Sequence, residues 1–436
     1  MVKKRNAETS RRGSVLTILD IGSAKTVCII ARMTPAEPGR YLNGRTHQPE
    51  VIGIGHTRSL GVKSGMLIDL QAAERSIRIA VEHAERMAGL TVDSMIINIS
   101  AGRPSSSVCA ASIALDQQPI EKRDMERVMR EAVTRGHRSD RHTIHLLPTD
   151  HALDGVHGIA DPRGMVGEEL TLNMHQLTVD AAPIRNIELA VNRAHLSVET
   201  IVSTPYASGL ATLVNDELEL GCAVVDIGAG TTSFAVFNEG RFVHADYMPI
   251  GGHHVTLDLA RGLSCGIDEA ERLKTMHGSV VATGIDDTET IQLAAMGHDE
   301  SGAGQQVPRS LVNRIISARV EETLEMLRDR INASGHSSIV GKRVVFTGGA
   351  SQMSGLGEMA RRVLGRNVRI GRPLGVKGLP ASAKGPAFSC AVGLLVYPQT
   401  NDHDQSVHNY RHMSGGLATG TEGPLGRVTQ WIKHSF

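Results

Sequence analysis

One strand–turn–strand unit is written twice in this chain, and any fold must house both copies. Near the start the chain reads Asp20-Ile21-Gly22-Ser23-Ala24-Lys25-Thr26, and near the middle Asp226-Ile227-Gly228-Ala229-Gly230-Thr231-Thr232. Apolar runs precede the copies, Val15 to Leu19 and Cys222 to Val225, and others follow them, Val27 to Ala31 and Phe234 to Phe237. Short apolar runs bounded by small turn residues read as strands. Each copy is thus a hairpin with a carboxylate at the end of its first strand. Two such hairpins predict two lobes whose turns face each other across a cleft.

The turn chemistry suits phosphate. Glycine lets a backbone approach an anion closely, and successive N–H groups in such a turn form an anion-binding nest. Ser23, Thr231 and Thr232 add hydroxyl donors, and Lys25 adds a point charge. Asp20 and Asp226 would repel a phosphate directly, so they are expected to hold Mg²⁺ through its waters. For one copy alone, an ordinary hairpin with glycine in the turn is the better reading; the second copy makes coincidence a poor explanation. A third segment, Val344-Val345-Phe346-Thr347-Gly348-Gly349-Ala350-Ser351, reads as a buried strand ending in paired glycines before a helix over Leu356 to Leu364. Gly348, Gly349 and Ala350 offer bare backbone to an adenosine. Gly22, Ala24, Gly228, Ala229 and Gly230 are the matching backbone candidates in the two turns. A GxxxxGK[ST] loop is absent, which excludes the P-loop fold.

Composition narrows the function classes. Lys+Arg number 46 and Asp+Glu 46, a balance that disfavours a nucleic-acid partner. The five cysteines, Cys28, Cys109, Cys222, Cys265 and Cys390, stand singly without a CxxC pair, which fits a reducing compartment. No apolar stretch reaches the roughly 20 residues that span a bilayer. Lys3, Lys4, Arg5, Arg11 and Arg12 make the first 13 residues a basic flexible tail without the apolar segment of a signal peptide. His142, His145, His151 and His157 match no zinc spacing and read as exposed or hydrogen-bonded side chains.

Along the chain, 14–90 and 181–214 are expected to form the first lobe. Within it are a strand at Val51 to Gly55 and helices at Gln71 to Ala88, Ala181 to Leu196 and from Ser208 to Val214. Residues 91–180 read as a small α+β insert, with strands at Met95 to Ser100, Ser106 to Leu115, Ile144 to Leu147 and Thr171 to Asp180, and a helix at Lys122 to Thr134. The second lobe is expected at 215–250 and 338–398. It is interrupted by 251–337, with helices at Val255 to Arg261, Asp268 to Met276 and Leu311 to Ile331 and a loop-rich stretch over 277–308. Residues 399–423 are polar and read as a linker.

The last stretch, 424–436, changes character. Leu425, Val428, Trp431, Ile432 and Phe436 fall at helical spacing, while Arg427 and Lys433 lie off that line. An amphipathic helix that lies on an anionic membrane has this pattern. Four or five buried apolar side chains contribute roughly 1.5–3 kcal/mol each, and each basic residue near an anionic leaflet about 1 kcal/mol. Ordering the helix offsets part of this, so binding is expected to be reversible. Docking of the helix onto its own domain is the alternative.

The two Asp-Ile-Gly hairpins, the Val344–Ser351 segment and the terminal helix together resemble the FtsA family of actin-like bacterial cell-division proteins, over nearly the whole chain. Pro249-Ile250-Gly251-Gly252 followed by Val255-Thr256 and Asp258 is similar to that family's entry to its second-lobe insert. Ala270-Glu271 and Lys274 resemble its ribose- and adenine-side helix motif, although an i,i+3 surface ion pair has the same spacing. Ile370-Gly371, Pro373 and the helix Cys390 to Leu395 also fit. The resemblance implies an α/β fold of two actin-like lobes, duplicated RNase H-like domains with ATP and Mg²⁺ between them. It also implies an SHS2-like insert in the first lobe. It adds Gly251, Gly252, Glu271 and Lys274 to the nucleotide candidates.

It further implies a peripheral protein on the cytoplasmic face of the inner membrane at the division septum. There it tethers the FtsZ ring, self-assembles into filaments and recruits later divisome proteins through 91–180. Arg309, Arg314 and Arg319 are the candidates for the acidic FtsZ tail; solvated surface arginines are the plainer reading of each. One departure concerns hydrolysis. Chaperone and MreB relatives carry a Glu before the Pro of the connecting helix, and here Thr204-Pro205 stands in that place. Threonine is no general base at neutral pH, so ATP binding with weak or no hydrolysis is expected. A pilus-assembly relative or a soluble small-molecule kinase would share the hairpins. Neither accounts for the terminal helix, and no substrate-side base for a kinase stands out.

Overall fold

A computed structural model describes residues 14–36, 42, 45–136, 140–281, 286–293 and 306–400. The expected basic tail at 1–13, the linker from residue 401 and the helix with Leu425, Arg427, Val428, Trp431, Ile432, Lys433 and Phe436 lie outside the described residues.

The first lobe begins with β1 (Val15–Ile21), β2 (Lys25–Pro35) and β3 (His47–Arg58), an antiparallel meander. The small ribbon β4 (Val62–Lys63) and β5 (Met66–Leu67) leads to α1 (Leu70–Ala88). Asp69 caps this helix by accepting from the Ala72 N–H, and Gly89 ends it in the left-handed region, as N-cap and C-cap chemistry dictates. Next comes β6 (Ser94–Ile99), which pairs in parallel with β1. The stretch Met95 to Ser100, expected in the insert, therefore belongs to the first-lobe sheet. Its apolar run reads as a strand in either setting, and only its pairing partner decides between them.

The insert follows. β7 (Ser105–Ala114), α2 (Lys122–Gly136), β8 (Arg141–Leu153), β9 (Val156–Ile159) and β10 (Glu169–Asp180) make a four-stranded antiparallel sheet, order β7-β10-β8-β9. Val128 and Ala132 of α2 pack on Leu146, Leu153, Leu170, Leu172 and Met174. The insert also reaches the second lobe: the Arg241 guanidinium donates to the Thr149 carbonyl, and the Ala245 N–H to Ser106 Oγ at 3.3 Å.

The chain returns through α3 (Ala181–Arg193), the parallel strand β11 (Ser197–Ser203) and α4 (Thr204–Thr212). The helix expected from Ser208 starts four residues earlier, because Pro205 sits in its first turn, where its missing N–H costs nothing. The first sheet runs β11-β6-β1-β2-β3.

The second lobe opens with α5 (Asn215–Leu220), β12 (Cys222–Ile227), β13 (Thr232–Asn238) and β14 (Arg241–Met248). Then come α6 (Gly252–Gly262), α7 (Ile267–Met276), the two-stranded β15 (Thr290–Gln292) and β16 (Gln306–Pro308), α8 (Arg309–Ala333) and α9 (Ser337–Val340). β17 (Arg343–Thr347), α10 (Leu356–Leu364), β18 (Asn367–Ile370) and α11 (Ser389–Val396) complete it. Its sheet runs β14-β13-β12-β17-β18. Read from the meander side, both sheets have two antiparallel pairings followed by two parallel ones. The duplication seen in two hairpins thus extends to two whole sheets.

Between the sheets α4 and α11 cross, joining Leu16, Val27 and Ile29 of one lobe to Val224, Ala235 and Phe237 of the other in a single apolar cluster with Ala207, Leu394 and Leu395. His145 ends in this layer. It is fully buried, its Nε2 accepts from the Ser203 N–H at 3.0 Å, and its ring meets Tyr206 edge-on. No cluster suited to a metal appears among the four histidines considered, or elsewhere in the described residues.

Candidate nucleotide site between the lobes

Each duplicated turn closes on itself: the Gly22 N–H donates to the Lys25 carbonyl at 3.0 Å, and the Gly228 N–H to the Thr231 carbonyl at 2.8 Å. The turns also meet. A β-carbon added at Gly230 would overlap Ser23 Oγ and lie 2.9 Å from the Ser64 N. Ser23 Oγ in turn accepts from the Gly65 N–H at 3.1 Å. Ala24 is the exposed tip of the first turn. Thr232 donates to the Ile250 carbonyl at 2.8 Å, and the carbonyls of Gly228 and Ala229 accept from the N–H groups of Gly252 and His253. The second turn is thereby fixed to the start of α6, which brings Gly251 and Gly252 beside it. Thr231 is half-buried at its close.

Asp20 and Asp226 end β1 and β12 at equivalent places, each 8% exposed. Burial raises the Asp20 carboxyl above its usual range, against the pull of Lys25 and a hydrogen bond from the Cys390 thiol. Burial pushes Asp226 up to about 6, with Asp20 adding repulsion; Ser208, donating at 2.5 Å, and Lys25 act the other way. Burial also lowers the Lys25 ammonium, opposed by both carboxylates. Its Nζ is buried without a hydrogen-bond partner and stands 3.3 Å from the centre of the Phe388 ring. Two desolvated carboxylates and an unsatisfied ammonium are costly in a folded core. Perturbed groups of this kind cluster where a ligand completes the network.

Gly348 lies against this pair. Its φ is +85°, a region open to glycine, and a side chain there would overlap the Asp226 carboxylate and approach the Ile227 carbonyl to 2.5 Å. Gly349 beyond it is exposed and Ala350 half-buried. Glu271 and Lys274 pair at 2.6 Å, as the surface reading expected. They are also anchored inward: Lys274 Nζ donates to the Gly252 carbonyl at 3.1 Å, and the Thr256 hydroxyl to Glu271 at 2.6 Å. The structure thus gathers all three glycine-bearing segments and this pair around the end of β12.

Other partners carry no local sequence signal. Asn98 accepts from the Ile21 N–H at 2.7 Å and donates to the Thr204 hydroxyl at 3.1 Å. A lone amide in the apolar run Ile96 to Ile99 is the one hint of it. Ser208 and Cys390 come from the two crossing helices, and Phe388 from the turn just before α11. The three arginines of α8 divide. Arg309 pairs with Glu289 at 2.6 Å, and Arg319 with Asp258 at 2.5 Å and Glu322 at 2.6 Å. Arg314 is exposed and forms no ion pair among the described residues.

Comparison with known proteins decides the family. A family model described as cell division protein FtsA matches residues 223–393, and one described as the SHS2 domain inserted in FtsA matches 101–178. The cell division protein FtsA of Agrobacterium fabrum is 54% identical over 431 residues, covering 98% of this chain and 96% of the relative. The chain belongs to the FtsA family. The FtsA of Pseudomonas aeruginosa is 30% identical over 424 residues, 97% of this chain and 99% of that one.

Among solved structures, a PilM–PilN type IV pilus biogenesis complex superposes with TM-score 0.59 at 15% identity, over 88% of this chain and 98% of that one. MreB5 of Spiroplasma citri bound to ADP superposes with TM-score 0.50 at 13% identity, over 93% of this chain and 100% of that one. These show an actin-like fold, and the family model shows the SHS2 insert within it.

Proposed function

We propose that this chain is an ATP-binding, membrane-tethered adaptor of bacterial cell division. It holds FtsZ by its tail at the cytoplasmic face of the inner membrane at the septum. There it self-assembles and receives later septum proteins through the insert. The observation that carries nucleotide binding is the pairing of Asp20, Asp226 and the unpartnered Lys25 Nζ between two touching glycine turns. The residues fit Mg·ATP: the turns offer N–H donors to phosphate, Lys25 a charge, and the two carboxylates a hydrated Mg²⁺. Bound Mg²⁺ would neutralise charge on the phosphates. Glu271 and the backbone around Gly251, Gly252, Gly348, Gly349 and Ala350 would hold the nucleoside. The fold's likeness to an ADP-bound MreB supports this reading.

Thr204 is held by Asn98 and puts no base at the start of α4. Hydrolysis is accordingly weak or absent, and the nucleotide acts by favouring the closed, polymer-forming state. No helix of the described residues is long and apolar enough to cross a membrane. Attachment rests instead on the stretch 424–436. The test is co-sedimentation with anionic vesicles in the presence of FtsZ, comparing the full chain with residues 1–424. Only the full chain should carry FtsZ down; vesicle binding by 1–424 equal to that of the full chain removes the anchor from that stretch.

The ion pairs on α8 sharpen the FtsZ contact. Arg309 and Arg319 already have carboxylate partners, so an acidic tail competes for them. Arg314 forms no ion pair among the described residues. Arg314→Glu should weaken an acidic FtsZ tail peptide about tenfold, the equivalent of about 1.4 kcal/mol, with the melting temperature unchanged. Fluorescence anisotropy with the labelled peptide measures it, and unaltered affinity moves the tail off α8.

A further inference from the structure

The segment after β18 runs back along the edge of the first-lobe sheet. The Val51 N–H donates to the Lys377 carbonyl and the Lys377 N–H to the Pro49 carbonyl, both at 2.9 Å. Beneath this strap Arg45 is 3% exposed. Its Nη1 donates to the Leu374 carbonyl at 2.7 Å and its Nη2 to the Leu210 carbonyl of α4 at 2.5 Å. Its Nε is buried and has no partner. Burial alone lowers its pKa, to about 10, and no acidic group offsets that burial, so it stays a cation at neutral pH. A buried arginine ordinarily has a carboxylate, because two carbonyls leave most of its five N–H groups and its charge uncompensated.

Arg45 forms one wall of an open cavity whose other walls are Ala36, Leu42, His47, Gln48, Gly375 and Lys377. Among the described residues that lining holds two cations, an imidazole and an amide, and no acid. The geometry points to a binding site for a small phosphate-class oxyanion, with Arg45 supplying a fixed fork and Lys377 a mobile charge at the mouth. The site lies apart from the duplicated turns. It joins the first lobe to the strap of the second. It also adjoins the start of the C-terminal linker, since the His47 N–H donates to Gln399 Oε1 at 2.9 Å. Free phosphate and the headgroup of a phospholipid share the required chemistry.

The test follows thermal unfolding of the full chain as inorganic phosphate replaces chloride at constant ionic strength. Saturating Mg·AMP-PNP is present to fill the other phosphate-binding turns. Lys377 is exposed, so Lys377→Glu should fold. Phosphate should raise the melting temperature of the wild type, and Lys377→Glu should shift the midpoint of that response at least tenfold upward. Arg45→Lys, which keeps the charge without the fork, should fall between them. An equal phosphate response in wild type and Lys377→Glu overturns the site, as does no response in either, which leaves Arg45 a strut between the lobes. The source is separated with the 1–424 chain on phosphatidylglycerol vesicles. Residual binding that Lys377→Glu abolishes assigns a lipid headgroup; a phosphate response without it assigns free phosphate.

Discussion

Gly393→Ala should cost the chain on the order of 4 kcal/mol and lower its melting temperature by about 10 °C. Gly393 lies mid-way along α11, where that helix crosses α4, and an added β-carbon would overlap the Ala207 carbonyl oxygen and lie 2.9 Å from Ala207 Cα. The obstacle is backbone, so no side chain can rotate away. Neither helix can retreat easily, because sheets from both lobes cover the pair. Overpacking of cores costs typically 1–3 kcal/mol, and a backbone-on-backbone overlap belongs above that range. In an unconstrained helix the same substitution would stabilise by up to about 1 kcal/mol, so the sign alone is diagnostic. At roughly 2–4 °C per kcal/mol for domains of this size, calorimetry resolves it easily. Mg·ATP affinity should fall with stability, since α4 and α11 carry Ser208 and Cys390 to the candidate site. A rise in melting temperature would show that the helices do not cross at this glycine.

The parts of the fold legible in the sequence were those encoded locally. The two hairpins stood out because each packs an apolar run, a carboxylate and small turn residues into about a dozen positions. The helix Leu70–Ala88 follows its apolar spacing and its caps. What escaped was set by partners far away in the chain. β11 carries Glu199 in its middle, a residue that argues against a strand until the Ser94 hydroxyl is seen donating to it. β14 mixes Arg241, His244 and Asp246 with apolar residues because it is the edge of its sheet, and the insert lies against it. β6 reads as a strand, but nothing in Met95 to Ser100 says that it pairs with β1.

The candidate site divides in the same way. Asp20, Lys25 and Asp226 could be named from the repeated turn. Phe388 over Lys25 and Cys390 beside Asp20 could not, since they join segments separated by more than half the chain. The third glycine pair was legible as a strand end, yet the approach of Gly348 to Asp226 depends on β12 and β17 pairing in parallel.

Asp226→Asn should stabilise the chain at pH 8 in the absence of ligand while removing its response to Mg·ATP. Asp226 is buried and its pKa is raised to about 6, burial being the main cause and Asp20 a second. An unfolded chain gives the same carboxyl a pKa near 3.9. The folded state therefore holds this proton more tightly, and the stability it contributes is present below about pH 4 and lost as pH rises through about 6. Two pKa units correspond to about 2–3 kcal/mol. The amide is neutral throughout and still accepts from Ser208, so it escapes that loss and the repulsion from Asp20. Its advantage over the wild type should be about 2 kcal/mol at pH 8 and vanish near pH 4. Mg·ATP should then act on the wild type alone. At a hundred times its dissociation constant a ligand stabilises by about 2.7 kcal/mol, and only the wild type should gain this. Thermal unfolding at pH 5 and 8, with and without Mg·ATP, separates the possibilities. A variant less stable than wild type at pH 8 would mean that Ser208 and Lys25 already compensate the charge. A variant that keeps the Mg·ATP response would move the nucleotide away from β12. The opposed signs are what a binding carboxylate requires: its charge burdens the empty fold because the ligand's cation is meant to answer it.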